Sequence, residues 1–116
     1  MNKIRFEANK LITSSFEVEF EYNIDKIEYI DRIILVLLEI PKGSKEVDNL
    51  YGVDEIGNIL WRVQSIKEAF GIPQNTPYVA LKVVNADTVQ VTSFYGMRFS
   101  VDISNGKLID KESIKW

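Results

Sequence analysis

The chain has 116 residues, a net charge of −3, 46% hydrophobic residues, and neither histidine nor cysteine. That length suits one domain, residues 1–116, burying roughly 65% of its unfolded surface in a single core. The two missing residue types exclude disulfides, thiol nucleophiles, histidine general bases and most transition-metal sites.

Charge is unevenly spread. Residues 1–60 hold twelve acids and seven bases, a balance of −5, whereas residues 61–116 hold five acids and seven bases, a balance of +2. No Lys/Arg cluster marks a nucleic-acid footprint, so a charged partner of the first half is expected to be a basic protein. The longest apolar run, Ile33 to Leu38, is far below the roughly 20 residues of a membrane span. The opening MNKIRFEANK has no apolar segment behind its cations, so no signal peptide is expected. A cysteine-free chain suits a reducing compartment, and a cytoplasmic location is the expectation.

In chain order, Ile4, Phe6 and Ala8 alternate with Lys3, Arg5 and Glu7, which predicts a strand over Lys3–Ala8. Asn9, Thr13, Ser14 and Ser15 read as a polar break. Phe16–Tyr22 is the clearest strand, with Phe16, Val18, Phe20 and Tyr22 on one face and Glu17, Glu19 and Glu21 on the other. Lys26–Ile30 follows, and Asp31-Arg32 is a tight turn into Ile33–Ile40. That stretch is apolar on both faces and predicts a central strand covered from both sides. Pro41 ends it, and KGSKEVDN is a polar loop.

Leu50–Val53 and Ile59–Val63 form a hairpin around Asp54 and Gly57. A short helix over 66–70 follows, with Ser65 and Glu68 as its capping box and Gly71 as its left-handed cap. Pro73 and Pro77 bracket a rigid loop. Tyr78–Val84 and Thr88–Phe94 are strands joined at Asn85-Ala86-Asp87, and a second hairpin around Asp102 and Gly106 closes the chain.

The hairpin phrase therefore occurs twice, as YGVDEIGNILW at 51–61 and as RFSVDISNGKLID at 98–110. Both copies resemble the repeat of the quinoprotein (PQQ-type) β-propellers, in which an Asp and a Gly define the outer hairpin and a Trp packs between blades. Trp61 matches that tryptophan, while Asp110 or Lys111 stands at its place in the second copy. The resemblance implies blade-like units at about 26–63 and 78–112, and no quinone cofactor follows from it. The closing phrase is also similar to that of small bacterial proteins of unassigned or immunity function. Two blades cannot close a ring of four to eight. The expected fold is thus an all-β antiparallel meander of about eight to nine strands in two face-packed, blade-like sheets, with one short helix.

For function, Glu17, Glu19 and Glu21 stand about 7 Å apart along one strand. They are too regular for a Ca²⁺ cage and read either as a solvated edge face or as a docking face for a basic partner. Asp54 beside Gly57 reads as a turn acceptor before it reads as a catalytic acid. A carboxylate-only hydrolase would rest on Asp54, Glu55 and Asp102. The leading expectation is a non-catalytic protein-binding module of immunity or inhibitor type that uses Glu17, Glu19 and Glu21. The alternative is a small-ligand or glycan-binding domain using the aromatics near Trp61 and Tyr95. No cofactor, metal, nucleic acid or membrane is expected. Unpaired sheet edges, with Trp61 and Trp116 at hand, point to a homodimer.

Overall fold

The computed structural model describes residues 3–73, 76–94 and 96–113. Its strands form three antiparallel sheets, each a meander with strands in chain order. The first sheet holds β1 (Arg5–Glu7), β2 (Lys10–Ile12) and β3 (Glu17–Glu19). The second holds β4 (Ile24–Ile30), β5 (Ile33–Leu38), β6 (Leu50–Val53) and β7 (Ile59–Arg62). After helix α1 (Ile66–Phe70) the third holds β8 (Tyr78–Val83), β9 (Thr88–Ser93), β10 (Met97–Asp102) and β11 (Leu108–Ser113). The all-β class, the antiparallel meanders and the short helix are as expected. The eleven described strands and the third sheet exceed the expectation.

The extra sheet joins the two expected N-terminal strands through a third, β2, that the sequence signal hides. The polar break contains β2, which reaches β1 through a two-residue turn in which Ala8 adopts φ 52°. Alanine in the left-handed region is uncommon, and nothing in Ala8-Asn9 resembles the usual Asn-Gly signal. Asn9 compensates: its Nδ2 donates to the Phe20 carbonyl at 2.8 Å. The strand expected over Phe16–Tyr22 shortens to Glu17–Glu19, because the chain bends at Glu21 and Tyr22. Asp31 and Arg32 both have positive φ, 49° and 65°, the type I′ geometry whose twist matches the strands on either side.

The middle sheet is covered on both faces. Leu35 and Leu37 of β5 pack with Trp61, Tyr78, Leu81, Val89, Val91, Phe99 and Val101 in one core layer, between the second and third sheets. Ile34, Val36 and Leu38 pack with Leu11, Phe20 and Ile24 in the other layer, against the first sheet. Alternate side chains on one strand therefore serve two cores, and this explains why β5 is apolar without alternation.

Helix α1 is held by its ends. The Ser65 side chain accepts from the Glu68 amide, and Gly71 closes the helix at φ 71° with its amide on the Lys67 carbonyl.

Candidate functional site

Each element that positions the candidate site is a turn or a seam. In the first hairpin Asp54 Oδ1 accepts from the Ile56 and Asn58 amides at 3.0 and 2.8 Å, and Oδ2 accepts from Asn58 Nδ2. The Asn58 amide and its companions hold the Asp54 carboxyl below the usual range. Asp102 does the same in the second hairpin, accepting from the Ser104 hydroxyl and amide, and its carboxyl is likewise lowered. Glu55 accepts from the Tyr29 hydroxyl. The carboxylates that would have served a hydrolase are thus engaged in their own turns and neighbours.

Trp61 is committed to the seam between the second and third sheets. It is 8% exposed, and its Nε1 donates to the Ile103 carbonyl at 2.8 Å. Its ring lies between Gly52 and Gly106: a Cβ added at either would fall 2.4 or 2.5 Å from ring atoms. Only glycine lets backbone approach so closely. Gln64 completes the seam, its amide donating to the Gly106 carbonyl and its Oε1 accepting from the Leu108 amide. A ring enclosed in this way offers no face to a ligand, so the Trp61 half of the aromatic ligand site is corrected to a packing role. Tyr95, the other half, and Trp116 lie outside the described residues.

The same geometry recurs one sheet earlier. Gly57 (φ 95°) receives the ring of Phe16, whose Cγ would lie 2.9 Å from an added Cβ. Asp110 and Lys111, one or other of which stands in the second copy where Trp61 stands in the first, are both exposed.

The acidic strand divides. Glu17 and Glu19 lie on the outer face of the first sheet, where the cross-strand rows read Arg5, Ile12, Glu17 and Glu7, Lys10, Glu19. Lys10 Nζ sits 3.4 Å from Glu17, and Asn9 Nδ2 donates to Glu19 at 3.3 Å. These exposed contacts are weak, and only that of Lys10 sets a positive charge against a carboxylate. Glu21 lies beyond the strand's end and faces different company.

There, two depressions share Glu21 and Tyr22 as a common wall. One, of about 400 Å³, is open and bounded by Asn9, Asn23, Glu39 and Pro41. The other is a slot of about 10 Å³ lined by Glu46, Asp48, Tyr51 and Arg62 among others. Arg62 is committed: its Nη2 meets Glu46 at 2.7 Å, its Nε donates to the Asp48 carbonyl, and its guanidinium lies 5.6 Å from the Tyr51 ring centroid.

Beside the slot, the buried Asn49 donates to the carbonyls of Leu38 and Tyr78 and accepts from the Tyr78 amide, tying the second sheet to the third. Burial raises the Asp48 carboxyl above the usual range, against the opposing pull of Arg62. Neither Asn49 nor Asp48 stood out in the sequence, because KGSKEVDN reads only as a polar loop. Among the described residues no group of three or more acids is placed to hold a metal ion. No helix among them is long and apolar enough to cross a membrane.

Comparison with known proteins agrees with this architecture. The family described as Domain of unknown function (DUF7957) matches residues 1–113, and the chain belongs to it. No curated protein sequence matches the chain. The crystal structure of BamB from Moraxella catarrhalis, a PQQ-like β-propeller protein, superposes with a TM-score of 0.60 at 16% identity. The superposition covers 97% of this chain and 35% of that one, so the chain spans about a third of the propeller chain it matches. The likeness is one of fold: three successive sheets stacked in the manner of propeller blades.

Proposed function

We propose that this domain is a non-catalytic protein-binding module, of the immunity or inhibitor kind, that docks a basic partner through its acidic side. The observation that carries this reading is the gathering of Glu21, Glu39, Glu46 and Asp48 around two adjoining depressions whose lining cation, Arg62, is already paired. Exposed Glu17 and Glu19 extend the acidic surface along β3. Such a surface mainly steers encounter, and its effect decays with salt as the Debye length falls to about 8 Å at physiological ionic strength. The propeller-like fold supports the reading only as a scaffold, since one fold hosts many functions. A reducing cytoplasm suits the cysteine-free chain.

Substituting Glu17, Glu19 and Glu21 together by Gln tests the reading. The variant should melt like the parent, because all three side chains are exposed. The immobilised parent should retain a basic protein at low salt and release it as ionic strength rises, and the variant should not retain it. Identical retention by both would leave the acidic strand as a solvated face. With Trp61 occupied, a homodimer would have to form through another surface, such as an open sheet edge. Light scattering at high concentration reads that directly.

A further inference from the structure

We infer that the open edge of β3 accepts an extended segment of a partner protein as a fourth strand of the first sheet, a segment in which lysine or arginine alternates with apolar residues. The inference rests on the reading above of a basic partner and goes beyond it by naming the form in which that partner binds.

The first sheet is one strand short. The second and third sheets have four strands each among the described residues, and the first has three. β1 packs beside β4. β3 lies over β6: the Phe20 and Tyr51 ring centroids are 5.3 Å apart, and Phe16 sits on Gly57 in the turn that follows β6. The cover given by the first sheet therefore ends at β6, and a fourth strand beside β3 would lie above β7.

The repeated hairpin phrase shows what the shorter sheet leaves exposed. Ile59 in the first copy and Leu108 in the second stand at the same place after the turn, each opposite a buried valine, Val53 or Val101. Leu108 is 7% exposed, in the core layer it shares with Trp61 of β7. Ile59 is 50% exposed, on the face that Val53 turns toward the first sheet. The two positions differ in whether a strand lies over them.

The backbone of β3 is set for such a strand. The Thr13 amide donates to the Phe16 carbonyl at 2.9 Å, and the Phe20 amide donates to the Asn9 carbonyl at 2.8 Å. Bonded and non-bonded pairs alternate along an antiparallel ladder, so Leu11 and Val18 are the bonded pair between those rungs. The amides and carbonyls of Glu17 and Glu19 then point away from β2, toward the side where no strand lies among the described residues. Main-chain pairing to an exposed edge supplies affinity, and alternate side chains supply selectivity.

The side chains specify the occupant. Residues opposite Glu17 and Glu19 share their outer face, where cations complement the two carboxylates. The residue opposite Val18 turns inward, as Val18 does, and an apolar side chain there covers Ile59. A second copy fits poorly. Its β3 would set carboxylate against carboxylate, and Ile4 of its Lys3-Ile4-Arg5 segment already packs in its own core.

The probe is the peptide acetyl-Val-Lys-Val-Lys-Val-amide, followed by heteronuclear NMR. It should shift the amides of Glu17, Val18, Glu19 and Ile59 in a saturable way, and acetyl-Val-Glu-Val-Glu-Val-amide should not. Methylating the two lysine amides removes the donors that face β3 and should weaken binding at least about tenfold. Methylating the central valine amide, which points away from β3, should leave it unchanged. Ile59→Thr keeps a β-branched residue at a half-exposed position, so it should weaken the peptide about fivefold and melt like the parent.

The absence of a saturable shift at millimolar peptide would overturn the inference. So would binding indifferent both to lysine-amide methylation and to Ile59→Thr, an outcome that leaves the basic-partner reading standing, because docking through side chains alone needs neither. That reading is tested separately by retention of a basic protein on the immobilised domain. Shifts of the same amides on concentrating the domain without peptide would assign the edge to a second copy and overturn the inference as well.

Discussion

The second and third sheets have the same meander and the same closing hairpin, yet they divide their surface differently. In the second the central strand is buried on both faces: β5 shows five successive buried residues, Ile34 to Leu38. The third is buried on one face, and β9 alternates strictly, with Val89, Val91 and Ser93 inward. Its outer face reads Lys82, Gln90, Ser100, Asp110 along one cross-strand row and Ala80, Thr92, Arg98, Glu112 along the next. The outer face of the first sheet is equally charged. Position in the stack, not strand topology, therefore decides whether a blade-like sheet reads as continuous or alternating. The seam follows the same logic. The second sheet presents Trp61 to the glycine of the third, while the third presents an exposed Asp110 to solvent.

The largest effects should come from breaking that seam. Trp61→Ala should cost about 3–5 kcal/mol, since it removes both a large buried ring and its bond to Ile103. Gly106→Val should cost at least as much as the roughly 1–3 kcal/mol expected of Gly57→Val. Both glycines have positive φ, but the branched side chain at 106 would meet the enclosed Trp61, whereas Phe16 beside Gly57 is only half-buried and can give way. Denaturant midpoints of the three variants measure this order. Equal costs at 57 and 106 would mean that the two seams are equivalent.

A smaller effect separates the faces. Leu37→Ala, at a fully buried position of β5, should cost about 2–5 kcal/mol, and Gln90→Ala, on the outer face of β9, should stay within about 0.5 kcal/mol. A large loss at Gln90 would mean that the outer face is covered.

The pH dependence sharpens the contrast between turns and slot. Asp54 and Asp102 have carboxyls held below their ordinary 3.8, so their contribution is present above that pH and is lost as pH falls through the lowered values. Asp48 is raised, so its destabilising effect is full at neutral pH and is relieved as pH falls through its raised value toward 3.8. Thermal melts against pH should therefore flatten at the acid end in Asp54→Asn and Asp102→Asn. In Asp48→Asn the gain in stability should be largest near neutrality and shrink in acid.

Much of this architecture was legible in the sequence, for physical reasons. The two-sided burial of β5 followed from its unbroken apolar run. The positive φ of Gly57 and Gly106 followed from Asp-x-x-Gly and Asn-Gly turn chemistry, and the helix caps followed from Ser65, Glu68 and Gly71. In the first sheet β1 and β3 were legible from the alternation of Lys3–Ala8 and Phe16–Tyr22, whereas β2 was not, because three residues carry too little period and Ala8 hides the turn. Nor was the acidic slot. It is assembled from segments around Glu21, Asp48 and Arg62 that meet only after the sheets stack, and the alternation of Glu17, Glu19 and Glu21 gave no sign that the chain bends before the third of them.

Native-state hydrogen exchange tests the central claim, a stack whose middle sheet is closed on both faces, most directly. The amides of Leu35, Val36 and Leu37 should exchange only through global unfolding, with the full stability of the domain, while those of the first sheet and of β11 should open at lower free energies. Protection along β5 no greater than along β11 would contradict the account.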